Sequence, residues 1–381
     1  MEITDITAMT VEIPLVGADA PLGIAPYVMN HREISSVRRV LVRVDTSDGR
    51  SGWGEMRPFL AAGATESLIE DGVAQQVIGQ SPFDLEQIRR RVTIEYTNVE
   101  MFFAAVETAC WDIVGQALGR PVYELLGGRN TPSQTDSSLS STDRSVEFAF
   151  CLGICSLEQS REKAIAAQEA GFTTLKTKAG RDWRADVDRI IAMDAATNGQ
   201  IEFRLDPNQG WRPDQALRVA SALEDAGIYL QYLEQPIRTD MHDVLASLRY
   251  RTKQPIAPNE DTYVPHNLQS LIEHNALDVA VLDLTPAGGL SGLRQQVALT
   301  EAAGIPAVHH CGFDLGIRTA AICHAVYGMA GFALPSDTTY YSWADTILDQ
   351  PFEFDNGCLT VPSEPGLGIS VDMDAVNRRL V

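Results

Sequence analysis

Residues 201–236 read IEFRLDPNQGWRPDQALRVASALEDAGIYLQYLEQP. An apolar run ends on Asp206, a helical pattern from Asp214 to Ala226 is closed by Gly227, and a second run ends on Glu234 just before Pro236. This is strand, helix, strand, with a carboxylate at the end of each strand. Working outward in both directions, polar residues recur at the same place in the pattern: Lys178, Asp206, Glu234, Glu260, Asp283 and His310, at intervals of 28, 28, 26, 23 and 27 residues. About 25 residues make one strand and one helix, the repeat of a β/α barrel, so all six side chains are expected at the mouth where such barrels carry their chemistry.

The strands expected from Glu147 onward are EFAFCL, TTLKTK, IEFRLD, YLQYLE, PIAPNE, LDVAVLD, PAVHHC and FALPSD, with amphipathic segments between them. Eight strands alternating with helices predict an α/β fold built on a modified (β/α)7β TIM-type barrel. The segment before it reads differently. Residues 3–14 alternate, 35–44 (SSVRRVLVRV) alternate again, and Asp48-Gly49 turns the chain back through Ser51-Gly52-Trp53-Gly54-Glu55. Helical patterns continue over 64–79, 84–96 and 98–118, the last leading to Leu125-Leu126-Gly127-Gly128-Arg129. The expected organisation is an α+β capping domain over 1–130, a polar linker at 132–144 (PSQTDSSLSSTDR), and a catalytic barrel over 131–349. A tail over 350–381, for which no barrel position remains, is expected to complete the cap.

With 45% hydrophobic residues the chain can bury a full core, and its net charge of −21 disfavours nucleic acid and anionic membrane surfaces as partners. No apolar run approaches the ~20 residues that cross a bilayer, and the start MEITDITAMTVEI lacks the marks of a secretion signal. The six cysteines show no C-x-x-C spacing and no disulfide framework. A cytoplasmic location is the expectation.

In Thr174-Leu175-Lys176-Thr177-Lys178 a period of two puts both lysines on one face. Adjacent ammonium groups are expected to lower each other's pKa, which would make one usable as a base; a plain strand end reaching solvent is the simpler alternative. Asp206, Glu234 and a third oxygen donor at successive strand ends suit Mg²⁺. One acidic residue there would be an ordinary helix cap; three in register outweigh that. The third donor is expected to be Glu260, with Asn259 as the alternative. Asp283 and His310 end neighbouring strands, where a carboxylate on one imidazole nitrogen raises basicity at the other. Asn208, in Asp206-Pro207-Asn208, and Asp337 are candidate substrate contacts, although Asp337 could equally cap the next turn of the chain.

These motifs resemble the enolase superfamily, in the branch that holds mandelate racemase, glucarate dehydratase and muconate lactonizing enzyme. The resemblance covers essentially the whole chain. It is carried by Gly52-Trp53-Gly54-Glu55, Leu125-Leu126-Gly127-Gly128, Lys176-Thr177-Lys178, Asp206-Pro207-Asn208, Leu233-Glu234-Gln235-Pro236, Gly288-Gly289 and Pro365-Gly366-Leu367-Gly368. It implies Lys178 as the base, Asp206 and Glu234 as the first two metal ligands, and an enediolate intermediate stabilised by Mg²⁺. Asp283 stands where the muconate lactonizing and dipeptide-epimerase types have a lysine, which together with His310 resembles the racemase and acid-sugar dehydratase pattern. The region from Asp337 to Gly368 is most similar to glucarate dehydratase.

The expected function is therefore Mg²⁺-dependent removal of the α-proton of a small carboxylate substrate, ending in dehydration of a sugar acid, by an enzyme that is expected to be a homo-oligomer. Racemisation or epimerisation of a 2-hydroxy or amino acid is the alternative that uses the same residues. A non-catalytic carboxylate-binding protein is a third class, and it would require loss of the base or the ligands. Substrate choice is expected to lie in the capping segments 14–29 and 57–63.

Overall fold

The structure is a computed structural model that describes residues 1–58, 61–95, 100–128, 144–264 and 266–381. The expected linker 132–143, the domain boundary near residue 130 and part of the capping segment 57–63 lie outside these residues.

The N-terminal unit opens with an antiparallel sheet. β1 (Ile3–Pro14) leads into a short antiparallel pair, β2 (Tyr27–Val28) with β3 (Glu33–Ile34). The chain then returns as β4 (Ser36–Thr46), which pairs along the length of β1 and on its other side with β5 (Ser51–Met56). The alternating burial of Val40, Val42 and Val44 places one face of this sheet on a core with Ile69, Val73, Phe103, Val106 and Ile113. The helix Glu100–Leu118 lies directly on β5. A Cβ at Gly52 or Gly54 would collide with the carbonyl oxygens of Ala109 or Ala105, so the two glycines of Gly-Trp-Gly-Glu are what lets helix and strand touch. The helix expected over 64–79 is interrupted: α-helix at Ala62–Ser67 and Ala74–Val77 flanks a π-helical stretch, Leu68–Val73. From it Glu70 accepts a hydrogen bond from Ala8 N on the open edge of β1 at 2.7 Å, satisfying a strand donor that has no ladder partner.

The barrel consists of eight parallel strands: β6 (Ser145–Leu152), β7 (Thr174–Lys178), β8 (Glu202–Asp206), β9 (Tyr232–Glu234), β10 (Ile256–Ala257), β11 (Ala280–Leu282), β12 (Ala307–His309) and β13 (Ser336–Thr338). Six form one continuous sheet in the order β10-β9-β8-β7-β6-β13, and β11 pairs with β12. Backbone hydrogen bonds close the circle, from Val281 N to Pro258 O (3.1 Å) and from Ala333 N to Ala307 O (3.1 Å). One α-helix comes after each of the first seven strands, so the modified barrel and its cap are as the sequence pattern requires. Starts are well specified: Ser156 and Gln159 form a capping box, Asp182 caps the next helix, and Pro213 opens the third.

The fifth strand is shorter than expected. Pro255 and Pro258 have no N–H for the ladder, so pairing stops at Ala257 and the chain turns into a 3-10 helix, Glu260–Tyr263. Strand parity therefore does not apply to Asn259 and Glu260. The tail touches both units. β14 (Cys358–Thr360) pairs antiparallel with the start of β6, whereas Gly366 pairs with Pro121 and Leu380 with Val11. No helix among the described residues is long and apolar enough to cross a membrane.

Gly54→Ala should destabilise the protein by about 2 kcal/mol, because the added methyl forces the helix Glu100–Leu118 off the sheet. Chemical denaturation would show this as a lower midpoint with an unchanged slope.

Candidate active site

Strand register sets up the site. Lys176 lies opposite Arg204 and Lys178 opposite Asp206, so the side chains on one face of β7 and β8 meet inside the barrel. All four are buried. Lys176 Nζ bonds Glu234 Oε1 at 2.6 Å and Asp337 Oδ2 at 2.8 Å, with Asp206 at 3.3 Å. Burial alone would lower its pKa, but Asp337, Glu234 and Asp206 raise it well above the usual lysine value. The expected mutual depression of the two lysines does not describe Lys176, since carboxylates surround it more closely than any cation does. Lys178 Nζ bonds Asp206 Oδ2. Asp337, expected to meet substrate, has its second oxygen taken by Arg204 Nη1 at 2.8 Å.

Beside this ladder lies a group of oxygens. Asn208, in the left-handed region at φ 45°, donates its backbone N–H to Asp206 Oδ1 (2.9 Å), and its Nδ2 reaches Glu260 Oε1 (3.3 Å). Asn259 Nδ2 donates to Glu234 Oε1 (2.7 Å). Gln235 organises the turn, because its Oε1 accepts from the backbone N–H groups of Asn259 (2.9 Å) and Asp261 (3.2 Å). Three buried oxygens, Glu234 Oε2, Asn259 Oδ1 and Glu260 Oε2, have no hydrogen-bond partner. Burial, then Asp206, pushes Glu234 up to about 8, and burial likewise raises Glu260. Such clustered, unsatisfied oxygen donors fit a hard divalent cation. Both Asn259 and Glu260 face this group, so either can serve it. Asp240, His242 and Asp261 form a second cluster of ligand-type groups, but its carboxylates are engaged by Asp240 N, Gln235 Nε2 and Asn267 Nδ2.

Across the cavity, His310 Nδ1 lies 2.9 Å from Asp283 Oδ2. This leaves Nε2 as the nitrogen available to a ligand. Burial lowers the His310 pKa, opposed by the hydrogen bond to Asp283. The other oxygen of Asp283 accepts from Arg318 Nη2 at 2.6 Å, and Arg318 also pairs with Asp314. Burial works to raise the Asp283 pKa, but the Arg318 charge and then the His310 bond hold it far below the carboxylate range, so Asp283 stays an anion. Arg318 sits in the first turn of the helix Ile317–Gly328, whose N-terminus is capped from the other unit. Glu55 accepts from Leu315 N (2.7 Å) and Arg318 N (2.9 Å). His309 points away and accepts from Leu284 N (3.1 Å).

Ladder and dyad line one cavity of about 880 Å³ roofed by the N-terminal unit. All ten candidate residues thus belong to one region, although Asp283, Asp206, Glu234 and Asn259 lie behind its wall or floor and not among its lining residues. Sequence reasoning missed three groups. Arg204 shares the parity of Asp206 and could have been read from IEFRLD; Tyr263, whose hydroxyl is 3.4 Å from His310 Nδ1, and Arg318 carry no pattern, since tertiary packing alone brings them in.

Residues 159–375 match the family described as enolase C-terminal domain-like, and residues 12–127 match the mandelate racemase / muconate lactonizing enzyme N-terminal domain. The chain belongs to the mandelate racemase and muconate lactonizing enzyme family of the enolase superfamily. It is 26% identical to the L-Ala-D/L-Glu epimerase of Bacillus subtilis over 97% of each chain, and a substrate-liganded structure of that epimerase superposes with a TM-score of 0.87 over 97% of this chain and 99% of the other. It is also 26% identical to the arabinonate dehydratase of Saccharolobus solfataricus, over 87% of this chain and 88% of that one. The dipeptide epimerase of Enterococcus faecalis, solved with Mg and a dipeptide, shares the fold at a TM-score of 0.86 and 24% identity, over 97% of this chain and 100% of the other. The protein is an enzyme of this kind, among relatives that are racemases, epimerases and dehydratases.

Arg318→Lys keeps one positive charge but cannot bond Asp283 and Asp314 together as the guanidinium fork does. Asp283 then becomes more basic, and the His310 imidazole should titrate at higher pH than in the parent, as followed by NMR of the ring.

Proposed function

We propose that this enzyme removes the α-proton of a small carboxylate substrate with the aid of Mg²⁺, and that the outcome is dehydration of a sugar acid. One observation carries the proposal: Lys178 and the Asp283–His310 dyad, two different proton-handling groups, flank one cavity, with a cluster of unsatisfied carboxylate and amide oxygens between them.

Asp206, Glu234 and Glu260, or Asn259 in its place, would hold the cation, which supplies positive charge for the substrate carboxylate as negative charge builds up on it. Lys178, in its neutral form, takes the α-proton. Lys176 is not the second base, because Asp337 and Glu234 hold it as a cation; its role is to add fixed positive charge beneath the reacting carboxylate. Asp337 and Arg204 keep Lys176 in place. On the other face His310, with Nδ1 committed to Asp283, uses Nε2 to deliver a proton to the departing β-hydroxyl. Asn208, which ties Asp206 to Glu260, is a positioning residue for the ligand cluster.

Epimerisation is the second reading. Met29, Ile34, Val37 and Phe313 give the cavity apolar wall that a polyhydroxylated chain would not need, and two bases on opposite faces suffice to invert a stereocentre.

Incubation with Mg²⁺ and a panel of sugar acids and hydroxy acids in D₂O should show α-proton exchange that disappears in Lys178→Ala while the fold persists. A 2-keto-3-deoxy product selects dehydration, and a substrate diastereomer selects epimerisation. No exchange with any carboxylate refutes the proposal. A separate expectation comes from Glu234. Because its pKa is pushed up to about 8, it must lose a proton before it can ligate, so Mg²⁺ binding should strengthen as pH rises toward 8 and level off above it. Calorimetry in two buffers of different ionisation enthalpy should find about one proton released per ion near neutral pH and almost none well above 8.

A further inference from the structure

The charges lining the cavity are distributed unevenly. The N-terminal unit contributes Arg32, Arg38, Arg39 and Arg57 to the lining, and no Asp or Glu among the described residues; the lining acids, Glu260 and Asp337, come from the barrel. This occurs in a chain with 51 acidic against 30 basic residues, so a random wall would be acidic. Two of the four arginines have internal work. Arg38 pairs with Glu12 at 2.8 Å, and Arg39 donates to Phe313 O at 2.9 Å beside Glu55.

Arg32 and Arg57 are placed differently. The Arg32 side chain forms no hydrogen bond or ion pair among the described residues, and partial burial followed by the charge of Arg57 lowers its pKa from the usual guanidinium value. The two cations are therefore near enough to repel each other. Arg57 lies 5.9 Å from the centre of the Tyr263 ring, and the Tyr263 hydroxyl reaches His310, so the pair stands over the His310 side of the cavity. Like charges gathered at a mouth are a local cost, and such costs persist where a ligand offsets them. The α-carboxylate of a substrate already has its partners at the floor, in Lys176, Lys178 and the cation cluster. The arginine wall suits a second anion.

We propose that the substrate carries a second anionic group, a carboxylate or a phosphate ester, at the end remote from the α-carbon, and that Arg32 and Arg57 bind it. Guanidinium forks match both groups, and a positive mouth on a protein of net charge −21 draws a dianion past an otherwise repelling surface. This inference rests on the proposed reaction only in taking the floor as the site of the α-carboxylate. It deepens that reading by naming the substrate class, a hydroxylated diacid or a phosphorylated hydroxy acid.

The test uses Mg²⁺-loaded protein and matched probes: tartrate, α-hydroxyglutarate and α-hydroxyadipate, each beside its ω-monoamide, with phosphoglycerate as the phosphate arm. Binding is measured by calorimetry, and α-proton exchange in D₂O is followed on the same samples. At least one dianion should bind at least roughly tenfold tighter than its uncharged-end partner, with a preference that weakens with added salt. Arg32→Ala and Arg57→Ala should erase that preference while leaving the monoamides within about twofold, and Arg32→Lys should restore part of it. The arm with the larger preference decides between carboxylate and phosphate. Equal binding of dianions and monoamides, or no binding by either, overturns the inference, as does an equal loss for both in the alanine variants. Exchange confined to monoanions overturns it while sustaining the proposed reaction. Arginine-dependent dianion binding with no exchange sustains the inference and overturns the reaction.

Discussion

A lysine ammonium sealed inside a barrel must be surrounded by anions, and much of this molecule depends on that requirement at Lys176. Its partners Glu234 and Asp337 come from strands on either side of β7, and Asp337 in turn needs Arg204, which stacks on Tyr232 at 4.8 Å. Removing any one member would leave a charge uncompensated at low dielectric, a loss of about 3–5 kcal/mol, so the charges specify one arrangement of the strand ends. The same chain of charges places Asp206 beside Lys178 and leaves Glu234 with an oxygen to spare. The reactive mouth is thus continuous with the polar part of the core, and its rigidity comes from there.

A second constraint joins the two units. Buried carboxylates of the N-terminal unit cap the barrel helices that come after the strands bearing the dyad. Glu55 meets the helix Ile317–Gly328, and Glu107 accepts from Leu290 N at 2.8 Å and Ser291 N at 2.9 Å at the start of Leu290–Ala302. A Cβ at Gly289 would occupy the place of the Glu107 carboxylate, and the residue has φ 107°, which explains Gly288-Gly289 in physical terms. Asp112 closes the set by accepting from Trp53 N at 3.1 Å and Leu367 N at 2.8 Å, tying cap, helix and tail together. Asn30 adds a contact at the mouth itself, donating to Pro207 O at 2.6 Å in the loop that carries Asn208. Roof and floor of the cavity are consequently held in one register, and Arg318 passes that register on to Asp283 and His310.

These contacts also show which parts of the site were legible along the chain. Lys178, Asp206, Glu234 and His310 were readable because each ends a strand in a repeating unit, where period and position coincide. Asn259 and Glu260 were not separable, since Pro258 ends the strand and the parity argument with it. The charge state of Lys176 was not readable, because adjacency along one strand suggests a lysine pair, whereas the neighbouring strands supply carboxylates at shorter range.

By itself the sequence determined the barrel, the capping unit, the family and the identity of the residues at the mouth, because hydrophobic period and strand-end spacing are local properties that survive without coordinates. Only the tertiary structure decided which of those charges are spent on one another, which oxygens remain unsatisfied, and that Arg318, Tyr263 and the arginines of the cap converge on the same cavity. Pairing between side chains of distant strands and helices depends on distances that no spacing along the chain records, and in a buried site those distances set the charge of every group.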